Sequence, residues 1–251
     1  MKKMTVRGVT IGEGMPKIIA PIVGRDEISI LSEAAVIRDL QADIAEWRID
    51  HYTSGTDADS VIRTAGLVRA VLKDIPLLIT FRTQHEGGAS AIGPEVYAQL
   101  LTALCRARCA DMIDVEVFSH PDAAAQIIRC ARENGVCVIA SNHDFSATPE
   151  AAEILRRLRH MAHIGADIAK IAVMPRENSD VLTLLQATAR AHAELDCPLI
   201  TMSMGALGAV SRISGECFGS ACTFGSAAAA SAPGQIPVPQ LRAILQALRQ
   251  K

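Results

Sequence analysis

Aromatic residues are scarce in this sequence: one Trp, two Tyr and five Phe make up 3% of its 251 residues. That scarcity argues against the stacking platforms that hold single-stranded nucleic acid and against the aromatic girdle of a membrane-embedded protein. A charge excess is missing as well, since 25 Lys and Arg stand against 27 Asp and Glu for a formal net charge of −2. Surfaces for nucleic acid or anionic lipid need a basic balance, so neither partner is expected. No apolar run approaches the roughly 20 residues that span a bilayer. Behind the initial Met-Lys-Lys there is no apolar leader segment, and the seven cysteines form no Cys-x-x-Cys pair. These absences lead to the expectation of a cytoplasmic protein in a reducing setting.

What is present is a hydrophobic share of 49%, enough for a large buried core. Short β-branched or apolar runs begin near Ile18, Ile44, Leu77, Met112, Val136, Ile168, Leu199 and Cys222, with helical spacing between them, as in 60–72 and 95–108. Strand and helix alternate about every 30 residues, which predicts parallel strands joined by crossover helices. Eight such strands predict an α/β fold, a (β/α)8 TIM barrel in a single domain over residues 1–251. The segment Thr5 to Gly14 alternates around glycines and predicts a short N-terminal hairpin closing one barrel end. Thr148-Pro149-Glu150 and His120-Pro121-Asp122 read as helix starts with Pro at the first position, and Gly135 and Gly165 read as helix stops. The stretch from Gly225 to Val238 is too rich in Gly and Pro for helix or central strand and reads as a mobile loop.

In a barrel of this kind the chemistry sits at the carboxyl ends of the strands. Glu46, Arg48 and Asp50 share one face of the second strand, and Asp114 and Glu116 share one on the fourth. Arg82 ends the third strand and suits an anion, while His143 terminates an otherwise apolar strand and is the acid/base candidate. The other six histidines read as structural. Lys170 stands inside the apolar run Ile168 to Val173, where an ammonium costs desolvation unless it is paired or neutral. Two readings of it stay open, a nucleophile that forms a Schiff base with a ketone or aldehyde, and a lysine paired with a neighbouring carboxylate such as Glu116. Met202 and Met204 share a side and would wall a pocket. Arg212 adds a third arginine, favouring a carboxylate ligand over a phosphate, for which the glycines between 215 and 225 are the alternative cradle. A metal site from Asp114, Glu116 and His143 is a further alternative, without His-x-His or His-Glu-x-x-His spacing to accompany it.

Taken in order, Glu46-Trp47-Arg48, Thr80-Phe81-Arg82, Ser141-Asn142-His143-Asp144-Phe145, Ala169-Lys170-Ile171-Ala172, Met202-Ser203-Met204-Gly205 through Ser211-Arg212, and Ser231-Ala232-Pro233-Gly234-Gln235-Ile236 closely resemble the type I 3-dehydroquinate dehydratases. The resemblance runs from the Pro16-Lys17-Ile18-Ile19 strand to the last helix. It implies a homodimeric β/α-barrel lyase that dehydrates 3-dehydroquinate to 3-dehydroshikimate in the shikimate pathway, with no metal and no cofactor. It also implies that Lys170 forms the imine and that His143 moves protons for a syn elimination. Glu86 would orient His143, Arg212 would hold the substrate carboxylate, and Glu46, Arg48 and Arg82 would surround its hydroxyls. Ser231 and Gln235 would belong to a closing lid. Pro21 departs from members that offer a serine there, which removes a side-chain contact. Two rivals remain: a class I aldolase using the same lysine, which needs a phosphate site, and a non-catalytic barrel that binds shikimate-type acids without turnover.

Overall fold

The computed structural model describes residues 3–227 and 234–249. Its main sheet is all parallel: β3 (Lys17–Ile22), β4 (Ile44–Arg48), β5 (Leu77–Thr80), β6 (Met112–Glu116), β7 (Cys137–Asp144), β8 (Ile168–Val173) and β9 (Leu199–Ser203) lie side by side in sequence order, and β10 (Cys222–Ser226) pairs with β3. These are the eight strands expected from the apolar runs. Between β9 and β10 the ring is joined by a single bridge, Leu199 to Ser220. The Ser220 hydroxyl takes the place of a ladder group there, accepting from the Thr201 N–H at 3.0 Å. A two-residue strand, β11 (Ile236–Pro237), extends β10 in parallel inside the stretch read as a loop.

The two-residue period of each strand sorts its side chains between two cores. Outward positions such as Ile18, Trp47, Ile79, Val115, Ala140 and Ile171 pack in one cluster with the helices. Inward positions Ile19, Ile44, Leu78, Met112, Ile139, Ile168 and Ile200 form a second cluster inside the ring. Covered on both faces, parallel strands read as near-continuous apolar runs, which is why they stood out in the sequence. The hairpin of β1 (Met4–Val6) and β2 (Val9–Ile11) adds Val6 and Ile11 to the interior cluster. Asp111, at the amino end of β6, accepts from Arg7 Nε at 2.7 Å, so the hairpin closes the amino end of the barrel as expected.

Six long helices separate the strands: α1 (Glu27–Asp39), α2 (Ala58–Leu72), α3 (Pro94–Ala107), α4 (Pro121–Asn134), α5 (Ala151–His163) and α6 (Asn178–Glu194). Short α7 (Ala209–Ile213) and α8 (Gly215–Phe218) follow β9, and α9 (Val238–Leu248) ends the fold. Pro121 opens α4, and Gly135 ends it at φ 72°, a left-handed turn that costs glycine least. The expected start at Pro149 is corrected: α5 begins at Ala151, with Glu150 as the flanking residue. Asp144 Oδ1 accepts from Ser146 and Ala147, and the Thr148 hydroxyl donates to Met174 O, so the preceding loop is held away from the helix. No helix among the described residues is long and apolar enough to cross a membrane.

Candidate active site

Halfway up the barrel the inward residues change from hydrocarbon to ions. Above Ile44 come Glu46 and Arg48, above Met112 come Asp114 and Glu116, above Ile139 come Ser141 and His143, and above Ile168 comes Lys170. With Asp50, Arg82, Glu86 and Arg212, five buried carboxylates face four buried cations at the carboxyl ends of the strands.

Lys170 Nζ donates to Asp114 Oδ2 at 2.9 Å, lies 3.9 Å from Glu46 Oε1 and stands 4.8 Å from the centre of the Phe224 ring. The expected partner, Glu116, is corrected to Asp114. Both Glu116 oxygens are engaged at the end of β5, Oε1 by Arg82 Nη1 and the Thr83 N–H at 2.8 Å each and Oε2 by the Thr83 hydroxyl at 2.7 Å. Asp114, farther down β6, is left for the lysine.

Arg82 joins the carboxylates to one another. Its Nη2 donates to Asp114 Oδ1 at 2.7 Å, its Nη1 donates to Glu116 and Ser141, and Nη1 lies 3.6 Å from Glu86 Oε2. Expected to meet an anion from outside, Arg82 instead has these protein carboxylates as its anions. Burial on its own pushes the Asp114 carboxyl up, yet the Arg82 and Lys170 cations hold it well below the usual carboxylate range. Arg48 is likewise engaged, gripping Asp50 through Nε and Nη2 at 2.7 Å each.

His143 and Glu86 are locked together. Glu86 Oε2 takes the His143 backbone N–H and stands 2.9 Å from ring Nδ1, while Oε1 accepts from Asn142 Nδ2 and the Ser119 hydroxyl at 3.3 Å each. Three donors besides the ring, the His143 backbone N–H, the Asn142 amide and the Ser119 hydroxyl, converge on Glu86 and suit a carboxylate, and a carboxylate requires the ring proton on Nδ1, leaving Nε2 as an acceptor. Burial drives the Glu86 carboxyl up to about 7 against the pull of Arg82. Burial, with the Arg82 and Lys170 cations, drives His143 well below the usual histidine range. A neutral imidazole is therefore the resting form at neutral pH.

Glu46, Arg82, Glu86, His143 and Lys170 line one cavity together with Arg48, Arg212 and Gln235, and Ala172, Met202, Met204 and Phe224 supply its apolar wall. Phe145 also lines it, its ring lying over Gly87, which has φ 83° and no room for a Cβ against that ring. Burial pulls the Arg212 guanidinium down to about 10, still cationic at neutral pH. Ser231 lies outside the described residues. Asp114, Glu116 and His143, the metal alternative, are already engaged with protein partners: Asp114 with Lys170 and Arg82, Glu116 with Arg82 and Thr83, and His143 with Glu86. The glycines offered as a phosphate cradle serve packing: Gly215 lies against Pro16, Gly219 against His192, and neither lines the cavity.

Sequence reasoning missed Ser141, whose hydroxyl donates to Asp114 Oδ1 at 2.5 Å, and the Phe224 and Phe145 walls. Period two carried the signal for the first two, since Ser141 stands two residues before His143 and Phe224 two after Cys222.

A family model described as type I 3-dehydroquinase matches residues 18–251. A 3-dehydroquinate dehydratase of Salmonella agona is 48% identical over 251 residues, covering 100% of both chains. Among solved structures, a type I 3-dehydroquinate dehydratase from Clostridium difficile superposes with a TM-score of 0.95 at 43% identity, covering 98% of each chain. A 3-dehydroquinate dehydratase from Geobacillus kaustophilus gives 0.96 at 41% identity, covering 98% of this chain and 96% of that one.

Proposed function

The chain belongs to the type I 3-dehydroquinase family and dehydrates 3-dehydroquinate as a hydro-lyase of the shikimate pathway, and from that premise we propose that it works through an imine on Lys170 with His143 as general acid and base. The observation that carries the assignment is a buried lysine beside two carboxylates in the same cavity as an imidazole held neutral by its surroundings.

Lys170 first passes its ammonium proton to the neutral His143 imidazole, and the freed amine attacks the substrate ketone; His143 returns that proton to the departing oxygen, and loss of water from the adduct gives the iminium, which draws electrons from the adjacent carbon. His143 Nε2 takes the proton from that carbon, leaving an enamine. The electron pair then expels the β-hydroxyl, which leaves as water with the proton carried by His143. Hydrolysis of the conjugated imine consumes one water, releases 3-dehydroshikimate and regenerates the amine, so the net product is one water. Asp114 and Glu46 stay behind as counter-ions for the iminium, fixed in place before the charge develops. Glu86 holds the tautomer and aim of His143. Arg212 receives the substrate carboxylate, Glu46, Arg48 and Arg82 surround the hydroxyls, and Gln235 with Ser231 completes the contacts. The reading includes one domain over residues 1–251, a homodimer, a cytoplasmic setting and no cofactor. The Clostridium difficile relative was solved with covalently modified comenic acid, which supports covalent chemistry in this family.

Incubation with 3-dehydroquinate, borohydride reduction and peptide mass spectrometry test the assignment. A ligand-sized adduct on Lys170, absent in Lys170→Ala, is the expected result. Turnover with no reducible adduct at Lys170 would overturn it.

A further inference from the structure

Behind His143 a file of polar groups runs from α5 to the catalytic carboxylate. Arg157 Nη1 donates to Asn142 Oδ1 at 2.8 Å, and Asn142 Nδ2 donates to Glu86 Oε1 at 3.3 Å. On its far side Arg157 is held by Glu153, whose Oε1 accepts from Nε at 2.8 Å, and Asp144 Oδ2 stands 4.0 Å from Nη1. Neither Arg157 nor Asn142 lines the cavity.

The chemistry of the ends dictates how the middle amide sits. A guanidinium offers only donors, so the Asn142 oxygen must face Arg157, and a carboxylate offers only acceptors, so the nitrogen must face Glu86. Reversing the amide sets oxygen against carboxylate and N–H against N–H at once. We propose that Arg157 and Asn142 are positioning residues for the dehydration: Arg157 fixes the Asn142 amide, the amide keeps Glu86 ionised, and the ionised Glu86 keeps His143 in its proton-accepting tautomer. This inference rests on the acid/base reading of Glu86 and His143 given above.

The charged surroundings of Glu86 make the amide consequential. Burial raises Glu86, Glu116 and Asp114 from β6 add to the rise, and Arg82 from the end of β5 opposes it, as does the Asn142 hydrogen bond. His143 contacts it from β7. With Glu86 at about 7, modest changes in its donors alter its charge in the working range.

The test is the pH profile of kcat/KM for the full chain and for Arg157→Met, Arg157→Lys, Asn142→Asp and Glu86→Gln. Arg157→Met is expected to move the acid limb up by roughly one pH unit, an approximately tenfold loss below the limb with the parent rate regained above it. Asn142→Asp is expected to move it at least as far, and Arg157→Lys to bring it back toward the parent. Borohydride trapping on Lys170 in each variant shows that the site is assembled. If Glu86→Gln abolishes the limb while Arg157→Met and Asn142→Asp leave it in place, the proposal is overturned and the acid/base reading stands. If the limb survives unchanged in Glu86→Gln, that reading fails and the proposal falls with it.

Discussion

Glu86 Oε2 sits 2.9 Å from both the backbone nitrogen and the ring Nδ1 of His143, so one oxygen fixes the strand end and the imidazole it carries. A ring that swung away would lose the carboxylate that the main chain beneath it still holds. For the acid/base role proposed for His143, that carboxylate keeps the ring aimed through proton transfers in both directions.

Glu86 makes the protein's stability depend on pH in a particular direction. Its folded value near 7 lies above the ordinary 4.5, so its contribution is fully present below about 4.5 and is lost as pH rises through 7. His143, with a depressed folded value, acts oppositely: its contribution is present above 6.5 and is lost as pH falls below that. Glu86→Gln removes the first effect. Chemical denaturation at pH 5 and pH 8 should show the variant gaining on the parent at the higher pH by on the order of 2 kcal/mol.

Asp114→Asn should cost both stability and turnover. The amide is nearly isosteric but leaves Arg82 and Lys170 without the anion they share at 2.7 and 2.9 Å. Loss of one partner from a buried network costs about 3 kcal/mol. Because the Asp114 carboxyl is held below its ordinary 3.8, the gap between parent and variant should be complete above pH 3.8 and close as pH falls further. Urea titrations across that range check the sign.

Arg212→Lys should raise KM by about 10- to 100-fold and lower kcat less. A lysine keeps the charge but loses the planar fork that meets a carboxylate with two parallel hydrogen bonds. Steady-state kinetics at saturating and limiting 3-dehydroquinate separate the two parameters.

Asp111→Ala should destabilise the fold by about 2 kcal/mol and leave kcat unchanged. Asp111 joins three segments at the amino end, accepting from Arg7 Nε at 2.7 Å, Arg69 Nη2 at 2.5 Å and the Leu77 N–H at 2.8 Å. Thermal unfolding and turnover assays on the same preparation check the division between a stability end and a chemistry end.

The barrel was legible because parallel strands covered on both faces are uninterrupted apolar runs, and a lysine or histidine inside one is conspicuous. Lys170 and His143 stood out for that reason, and the resemblance supplied Glu86, which sits on a turn whose sequence carries no periodicity. Partner choice was not legible. Glu116 and Asp114 are equally placed by period two, and only the approach of Thr83 and Arg82 from the neighbouring strand decides which one the lysine meets. The Asn142 amide was hidden for a similar reason. It points away from the cavity, and its partner lies on a helix 15 residues farther along the chain.

The hairpin sealed by Val6, Ile11 and Arg7 has a consequence for traffic. Among the described residues, hydrocarbon fills the floor and the hairpin is bolted beneath it, which leaves the aperture at the carboxyl ends of the strands as the way to the catalytic groups. In the proposed mechanism, substrate entry, the exit of water freed by imine formation and elimination, the return of a hydrolytic water and the departure of product then share that aperture in turn.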